Sequence, residues 1–195
     1  MVITYELKGN LYINITNKCS NRCSFCIRDI KDGFLNDLWL EREPSIEDIK
    51  CDILKRDLEK YNQLVFCGFG EPFERFDTLI EVCKRVKEKS SIHIRINTNG
   101  LANLIYKSDV TPYLEGLVDS LSVSLNAPNA KEYDEICSSV FGLDAFPAIL
   151  DFIDKAKRYV RDIQVSVVDC LLPEKIQECN KIAQELNVKI KIRHL

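Results

Sequence analysis

IHIRINTN, residues 92–99, alternates strictly: Ile92, Ile94 and Ile96 fall on one side of an extended chain, and His93, Arg95, Asn97 and Asn99 on the other. SLSVSLN (120–126) repeats the pattern, with Leu121, Val123 and Leu125 opposing Ser122, Ser124 and Asn126. LYINIT (11–16) sets Leu11, Ile13 and Ile15 against Tyr12, Asn14 and Thr16. Three more short runs, LVFC (64–67), IQVSVV (163–168) and VKIKIRH (188–194), bring the strand count to six. Strands in a flat doubly wound sheet are apolar on both faces, because helices cover both. Strands with one polar face need helices on one side only. Curving the sheet gathers the polar faces around a shared lumen, as in a full or partial barrel.

Between the strands lie helical periodicities. Residues 45–60 carry Ile46, Ile49, Ile53 and Leu58 on one stripe behind Ser45 as a cap, and residues 76–89 carry Phe76, Leu79, Ile80, Cys83 and Val86. Residues 144–160 and 173–186 read likewise, with Pro173 suited to a first helical turn and Pro147 requiring a start near Asp144. Strands joined through helices pair in parallel by right-handed crossovers. The expectation is α/β: a partial (β/α)6 barrel of six parallel strands with a polar lumen and helices outside, residues 1–195 forming one domain. A two-layer sheet with one face in solvent is the alternative.

Composition narrows the class. The chain has 195 residues, 46% hydrophobic and 29% charged, with a formal net charge of −3. No global basic field argues for a nucleic-acid partner, so one is not expected. The start, MVITYELKGN, lacks a secretory pattern, and no apolar run approaches the ~18 residues of a membrane span. A cytoplasmic protein is expected.

Nine cysteines are many for such a chain, and an odd, scattered set reads poorly as a disulfide framework. Three crowd into NKCSNRCSFCIRD (17–29): Cys19, Cys23 and Cys26. The other six read as small buried hydrophobes or, in part, as a second cluster. Soft thiolates select iron–sulfur clusters or zinc, and a closed site takes four protein ligands. Three thiols therefore mean an open metal position or a partner elsewhere. For zinc that partner would be His194 at a strand end, His93 standing too early in its strand. In parallel α/β folds ligands gather at the carboxyl ends of strands. The cysteine loop, GFGEP (68–72), NTNG (97–100) and Asn126 all fall there.

CSNRCSFC, with Phe25 just before Cys26, resembles the signature of the radical S-adenosylmethionine (SAM) superfamily. GFGEP resembles that superfamily's Gly-Gly-Glu-Pro element, with Phe69 in place of one glycine, and SVSLNAP on the fourth strand extends the likeness across the chain. CSNRCSFCIRD together with DLWLEREPS (37–45) is similar to the short TatD-associated radical SAM proteins. The resemblance implies a [4Fe-4S] cluster on Cys19, Cys23 and Cys26, with SAM on the iron that has no protein ligand. It implies SAM contacts from Phe25, Gly68, Gly70, Glu71, Asn97, Asn99, Ser122, Ser124, Asn126 and Val168. It further implies reductive SAM cleavage to a 5′-deoxyadenosyl radical that takes hydrogen from a substrate, with electrons from a flavodoxin or ferredoxin in an anaerobic cytoplasm.

Each residue also has a plainer reading. Gly68 and Gly70 could make a tight turn, Glu71 could cap the following helix, Asn99-Gly100 is a turn dipeptide, the strand-four serines could be satisfied within the lumen, and Phe25 could be core. The substrate is left open as an anionic small molecule or a protein. Arg95, and Lys189, Lys191 and Arg193 on one face of the last strand, could receive an anion, or the last three could simply protect a sheet edge. Arg28 could face a ligand or sit in an ion pair. The segment 33–44, with Trp39, is either a partner surface or packing. Because the chain ends with its sixth strand, an open mouth suited to a large substrate or a dimer partner is expected. Installing a glycyl radical on a partner enzyme is the alternative activity, and a non-catalytic metal-binding module is the rival class.

Overall fold

The computed structural model describes residues 1–29 and 38–194. Seven strands form one sheet whose spatial order equals the chain order: β1 (Thr4–Leu7), β2 (Asn10–Ile13), β3 (Gln63–Phe66), β4 (His93–Thr98), β5 (Ser120–Ser124), β6 (Asp162–Val168) and β7 (Lys189–Arg193). From β2 to β7 every neighbour is parallel. Successive right-handed crossovers in one direction place all helices on the same side of such a sheet. β1 and β7 remain edges, so the barrel is partial and open.

The six expected strands are all present. β1 is an addition that sequence reading passed over: it pairs antiparallel with β2 through a two-residue turn, Lys8-Gly9. Both turn residues have positive φ, 49° and 74°, the conformation of a tight hairpin turn whose twist matches its strands. The alternation TYEL–KG–NLYI carries that signal, and Tyr5 stacks on Tyr12 across the hairpin at 5.1 Å between ring centroids.

The helices are α1 (Ile46–Leu54), α2 (Phe76–Lys87), α3 (Ala102–Tyr106), α4 (Ala130–Cys137), α5 (Ala145–Ala156) and α6 (Pro173–Glu185). Ser45 caps α1 as expected, in a reciprocal box in which Ser45 Oγ accepts from Asp48 N and Asp48 accepts from Ser45 N. α1 ends at Leu54, and Leu58 lies in a separate 3-10 turn. Pro147 sits in the first turn of α5, where its missing N–H costs nothing. α3 and α4 were not anticipated; both are short.

Burial follows the alternation. Ile94, Ile96, Leu121, Val123, Leu125, Ile13 and Ile15 enter one core with the helices' apolar faces. His93, Arg95 and Asn97 stay partly accessible on the lumen side of β4. Among the described residues no single helix is long and apolar enough to cross a membrane.

Candidate active site at the open end of the barrel

The carboxyl ends of the strands enclose a cavity. Cys19, Cys23 and Cys26 border it together with Phe25, Gly68, Gly70, Glu71, Asn97, Asn99, Ser124 and Asn126. Two expected residues stand apart from it. Ser122 lies one layer lower and accepts a hydrogen bond from Gln164 Nε2 at 3.2 Å. Val168 is fully buried and pairs in register with Arg193, without lining the cavity. Asn21, Ile27, Cys67, Phe69 and Thr98 line it without having been singled out as ligand contacts, and Arg193, expected only as one of three possible anion receivers on the last strand, lines it too. Cys67 and Arg193 were legible in part, since each extends its strand's lumen-side alternation to the strand end.

The cysteine loop is held in place by the chain itself. α4 ends with unpaired carbonyls, as any helix does. The loop fills them: Arg22 N donates to Cys137 O and Ser24 N to Ile136 O, both at 2.9 Å, while Val140 N returns a bond to Ser20 O. Asn21 Nδ2 donates to Tyr133 Oη at 2.8 Å, and Asn99 Nδ2 to Ser20 Oγ at 3.0 Å. On the other side Glu71 N donates to Lys18 O at 2.8 Å.

Gly68 and Gly70 are required by close approach. A Cβ on Gly70 would lie 2.4 Å from Thr16 O and 2.5 Å from Lys18 O; one on Gly68 would meet the Asn14 side chain at 2.0 Å. What fills those spaces is the neighbouring segment 14–18 of the chain, so close approach requires both glycines whatever ligand lies above them. Phe69, where the superfamily pattern has glycine, is buried and touches Trp39, their rings 6.1 Å apart. Trp39 itself is 57% exposed, between buried Leu38 and Leu40. The remainder of the 33–44 segment, residues 33–37, lies outside the described residues, as does Asp37 of DLWLEREPS.

Glu71 is buried and fully engaged. Its carboxylate accepts from Phe73 N (3.1 Å), Thr98 Oγ1 (2.7 Å) and Asn99 N (2.6 Å). It thus caps the 3-10 turn Pro72–Arg75 and ties β3 to β4. Burial pushes its carboxyl up to about 7, against the three donors that favour its ionised form. Asn97 Oδ1 and Asn21 Oδ1 are buried at the cavity without a hydrogen-bond partner. Asn126, at the end of β5, holds a positive φ of 55° and directs Nδ2 toward Cys137 Sγ at 3.9 Å. Arg28 is placed by a 3.4 Å bond to Asn17 O and by the Cys26 thiol, so its ordinary role is local.

The donor set suits an iron–sulfur cluster. Burial, then the nearby Glu71, pushes the Cys19 thiol up to about 12; contact with Cys137, then burial, raises Cys23 further. Such thiols release their protons to a metal's charge. Among the described residues no three donors converge to hold a single ion. The three thiols border one cavity, and in a polynuclear cluster each would bind a different iron. The cavity beyond them offers apolar surface from Phe25 and unpaired amide oxygens, which suits a ligand carrying both an aromatic ring and polar groups.

Comparison with known proteins agrees. Residues 13–186 match the family model described as Radical SAM superfamily. Over 169 residues the chain is 29% identical to "Probable dual-specificity RNA methyltransferase RlmN" of Thermoanaerobacter sp. (strain X514), covering 83% of this chain and 45% of that protein. A protein of the same name from Exiguobacterium sibiricum is 28% identical over 137 residues, covering 63% of this chain and 35% of that protein. The chain thus spans less than half the length of these curated relatives. Their names specify RNA, so the expectation against a nucleic-acid partner finds no support here. Among solved structures, Streptococcus suis SuiB bound to S-adenosylmethionine matches with a TM-score of 0.66 at 17% identity, covering 94% of this chain and 38% of that one. Methylornithine synthase matches with a TM-score of 0.64 at 14% identity, covering 94% of this chain and 52% of that one; both share the fold. The chain is an enzyme of the radical SAM superfamily, whose members use a [4Fe-4S] cluster and SAM and depend on an electron donor.

Proposed function

We propose that Cys19, Cys23 and Cys26 hold the [4Fe-4S] cluster and that SAM occupies the cavity above them, in an enzyme that abstracts hydrogen from a substrate yet to be identified. Held by these thiols, a reduced cluster would supply the electron for cleavage of SAM to methionine and a 5′-deoxyadenosyl radical. The observation that carries this reading is the cavity itself, which joins the three thiols to Phe25, the GFGEP loop and the ends of β4 and β5. Phe25 offers the adenine an apolar face. The backbone of residues 68–71 and the amides of Asn97 and Asn99 offer polar contacts to the methionyl group, and Ser124 and Asn126 do so for the ribose or carboxylate. Glu71 supports that loop from behind, its own oxygens being engaged. Ser122 and Val168 would act only through their neighbours.

One continuous core running from Ile3 to Ala183 supports treating residues 1–195 as one radical SAM core unit. All nine cysteines are free, which supports a reducing, cytoplasmic setting; the cluster would then take its electron from a donor of flavodoxin or ferredoxin type. The relatives' names favour a second reading, methyl transfer to RNA. Lys18, Arg22 and Arg28 border an open groove that shares Cys19 with the cavity, a feature compatible with a polyanionic substrate.

The test is anaerobic reconstitution, with iron counted and the EPR spectrum of the reduced state recorded with and without SAM. About four irons per chain, a SAM-dependent spectral change and release of 5′-deoxyadenosine are expected; Cys19→Ala, Cys23→Ala and Cys26→Ala each abolish all three. A zinc centre indifferent to SAM would sink the reading. Incubation with total RNA separates the second reading, which requires a methylated base and S-adenosylhomocysteine as products.

A further inference from the structure

Lys189, Lys191 and Arg193 share one face of the edge strand β7, but they do different things. Lys189 and Lys191 are exposed, and Lys189 lies 3.6 Å from Asp162. Arg193, at the carboxyl end, turns over the cavity and lines it. Its Nη2 reaches two neutral acceptors at long range, Asn126 Oδ1 at 3.4 Å and Ser124 Oγ at 3.5 Å. Among the described residues the ionisable groups that act on it are thiols, those of Cys67, Cys23 and Cys137. The adjacent carboxylate, Asp169, is bonded by His194 Nδ1 at 2.7 Å, and Asp169 N fixes the Arg193 carbonyl at 2.9 Å. Arg42, Arg56, Arg75 and Arg85 each pair with an acid, Asp48, Glu6, Glu43 and Glu81 respectively, whereas Arg95, also on the lumen side, reaches Tyr12 Oη at 3.4 Å.

Two measures of its surroundings point different ways. Arg193 as a residue is exposed at the open edge of the barrel, while its guanidinium is crowded enough by protein for desolvation to lower its pKa. Exposure matters more for a ligand, since it leaves the group reachable from the mouth. A guanidinium presents a planar fork that matches a carboxylate or phosphate in two parallel bonds, and neutral oxygens at 3.4–3.5 Å use little of that capacity.

We propose that Arg193 is the oxyanion-binding residue of this cavity, its guanidinium receiving a carboxylate or phosphate group of the molecule bound at the open end of the barrel. The inference rests on reading the cavity as the SAM and substrate site. The oxyanion has two sources, the carboxylate of SAM and an acidic group on the substrate. Ser124 and Asn126 hold the side chain over the mouth until that group arrives.

Calorimetric titrations of anaerobically reconstituted protein test it, comparing wild type with Arg193→Met and Arg193→Lys. The probes are SAM, decarboxylated SAM, and inorganic phosphate added both to SAM-loaded and to SAM-free protein. If SAM supplies the oxyanion, Arg193→Met weakens SAM binding by about tenfold or more and leaves decarboxylated SAM unchanged. If the substrate supplies it, SAM binds both proteins alike, while wild type binds phosphate and Arg193→Met loses about tenfold or more of that affinity. Arg193→Lys retains part of the binding in either case, because it keeps the charge without the fork. Unchanged SAM and phosphate binding in Arg193→Met, with an unaltered unfolding midpoint, overturns the proposal. Failure of the underlying reading looks different: SAM then leaves the EPR spectrum of wild type unmoved. The SAM-free phosphate titration decides Arg193 even so, a loss in Arg193→Met supporting the subsite and equal binding overturning it.

Discussion

The two rims of the barrel handle polar groups in opposite ways. At the amino ends of the strands, Asp119 Oδ2 accepts from Lys87 Nζ at 2.6 Å and from Ile94 N at 2.7 Å, Lys87 also donates to Ile92 O, and His93 Nε2 meets Ser120 Oγ at 2.8 Å. Charged groups there pair within the chain, although Gln63 Oε1 at the start of β3 is buried without a partner. At the carboxyl ends, the hydrogen bonds of Arg193 among the described residues go to neutral oxygens, Asn97 Oδ1 and Asn21 Oδ1 lack partners, and the three clustered thiols border one cavity. A buried polar group without a partner costs about 1–3 kcal/mol, so the second rim is maintained at a price in stability. One end of the barrel holds the fold and the other is shaped for a ligand, the division of labour general to parallel barrels.

That contrast can be broken from its strongest point downward. Gly70→Ala forces a Cβ against two backbone carbonyls that cannot rotate away, at 2.4 and 2.5 Å. We expect a loss of about 3 kcal/mol or more in urea unfolding, together with lost iron, because the cysteine loop must move. Unchanged stability would mean that the β3 loop does not press on residues 16–18 as described. Asp119→Asn should cost about 1–2 kcal/mol by weakening the Lys87 pair and the Ile94 bond, the partial exposure of both side chains limiting the effect. Iron content and the SAM-induced EPR change should stay at wild-type values; if they fall, the rims are not separable.

The smallest effect lies on the outer helices. The Arg42 guanidinium, then the Ser45 amide and hydroxyl, hold Asp48 well below the usual carboxylate range. A carboxyl depressed in the folded state contributes stability that is fully present above its unfolded pKa of about 4 and is lost as pH falls through the lower folded value. Thermal unfolding of wild type and Asp48→Asn should therefore differ at pH 6 and converge below pH 4, since protonation removes the same interaction. Parallel curves down to pH 3 would show that the cap does not depend on the charge.

Much of this architecture was legible because alternation is a local property. The side assignments of Ile94, Arg95, Ser122 and Val123 need only the two-residue period of an extended chain. The cysteine spacing and GFGEP were equally readable as motifs. Depth was not: Ser122 and Ser124 share a face, but only Ser124 reaches the cavity, and which layer a residue occupies depends on the stagger of neighbouring strands. Nor could the sequence tell Arg193 from Lys191, since an edge strand admits both solvent-facing and inward-turning side chains. The docking of residues 20–24 on the end of α4 joins segments more than 100 positions apart, beyond the reach of any periodicity.

That docking bears on how the protein matures. A metal-binding loop in a free chain must be ordered by the metal itself, so part of the binding energy is spent on conformational entropy. Here the main chain of residues 20–24 completes the hydrogen-bond ladder that α4 leaves unfinished. The ordering is thereby assigned to polypeptide folding, and on the proposed reading a cluster would be delivered to a receptacle whose shape is already decided.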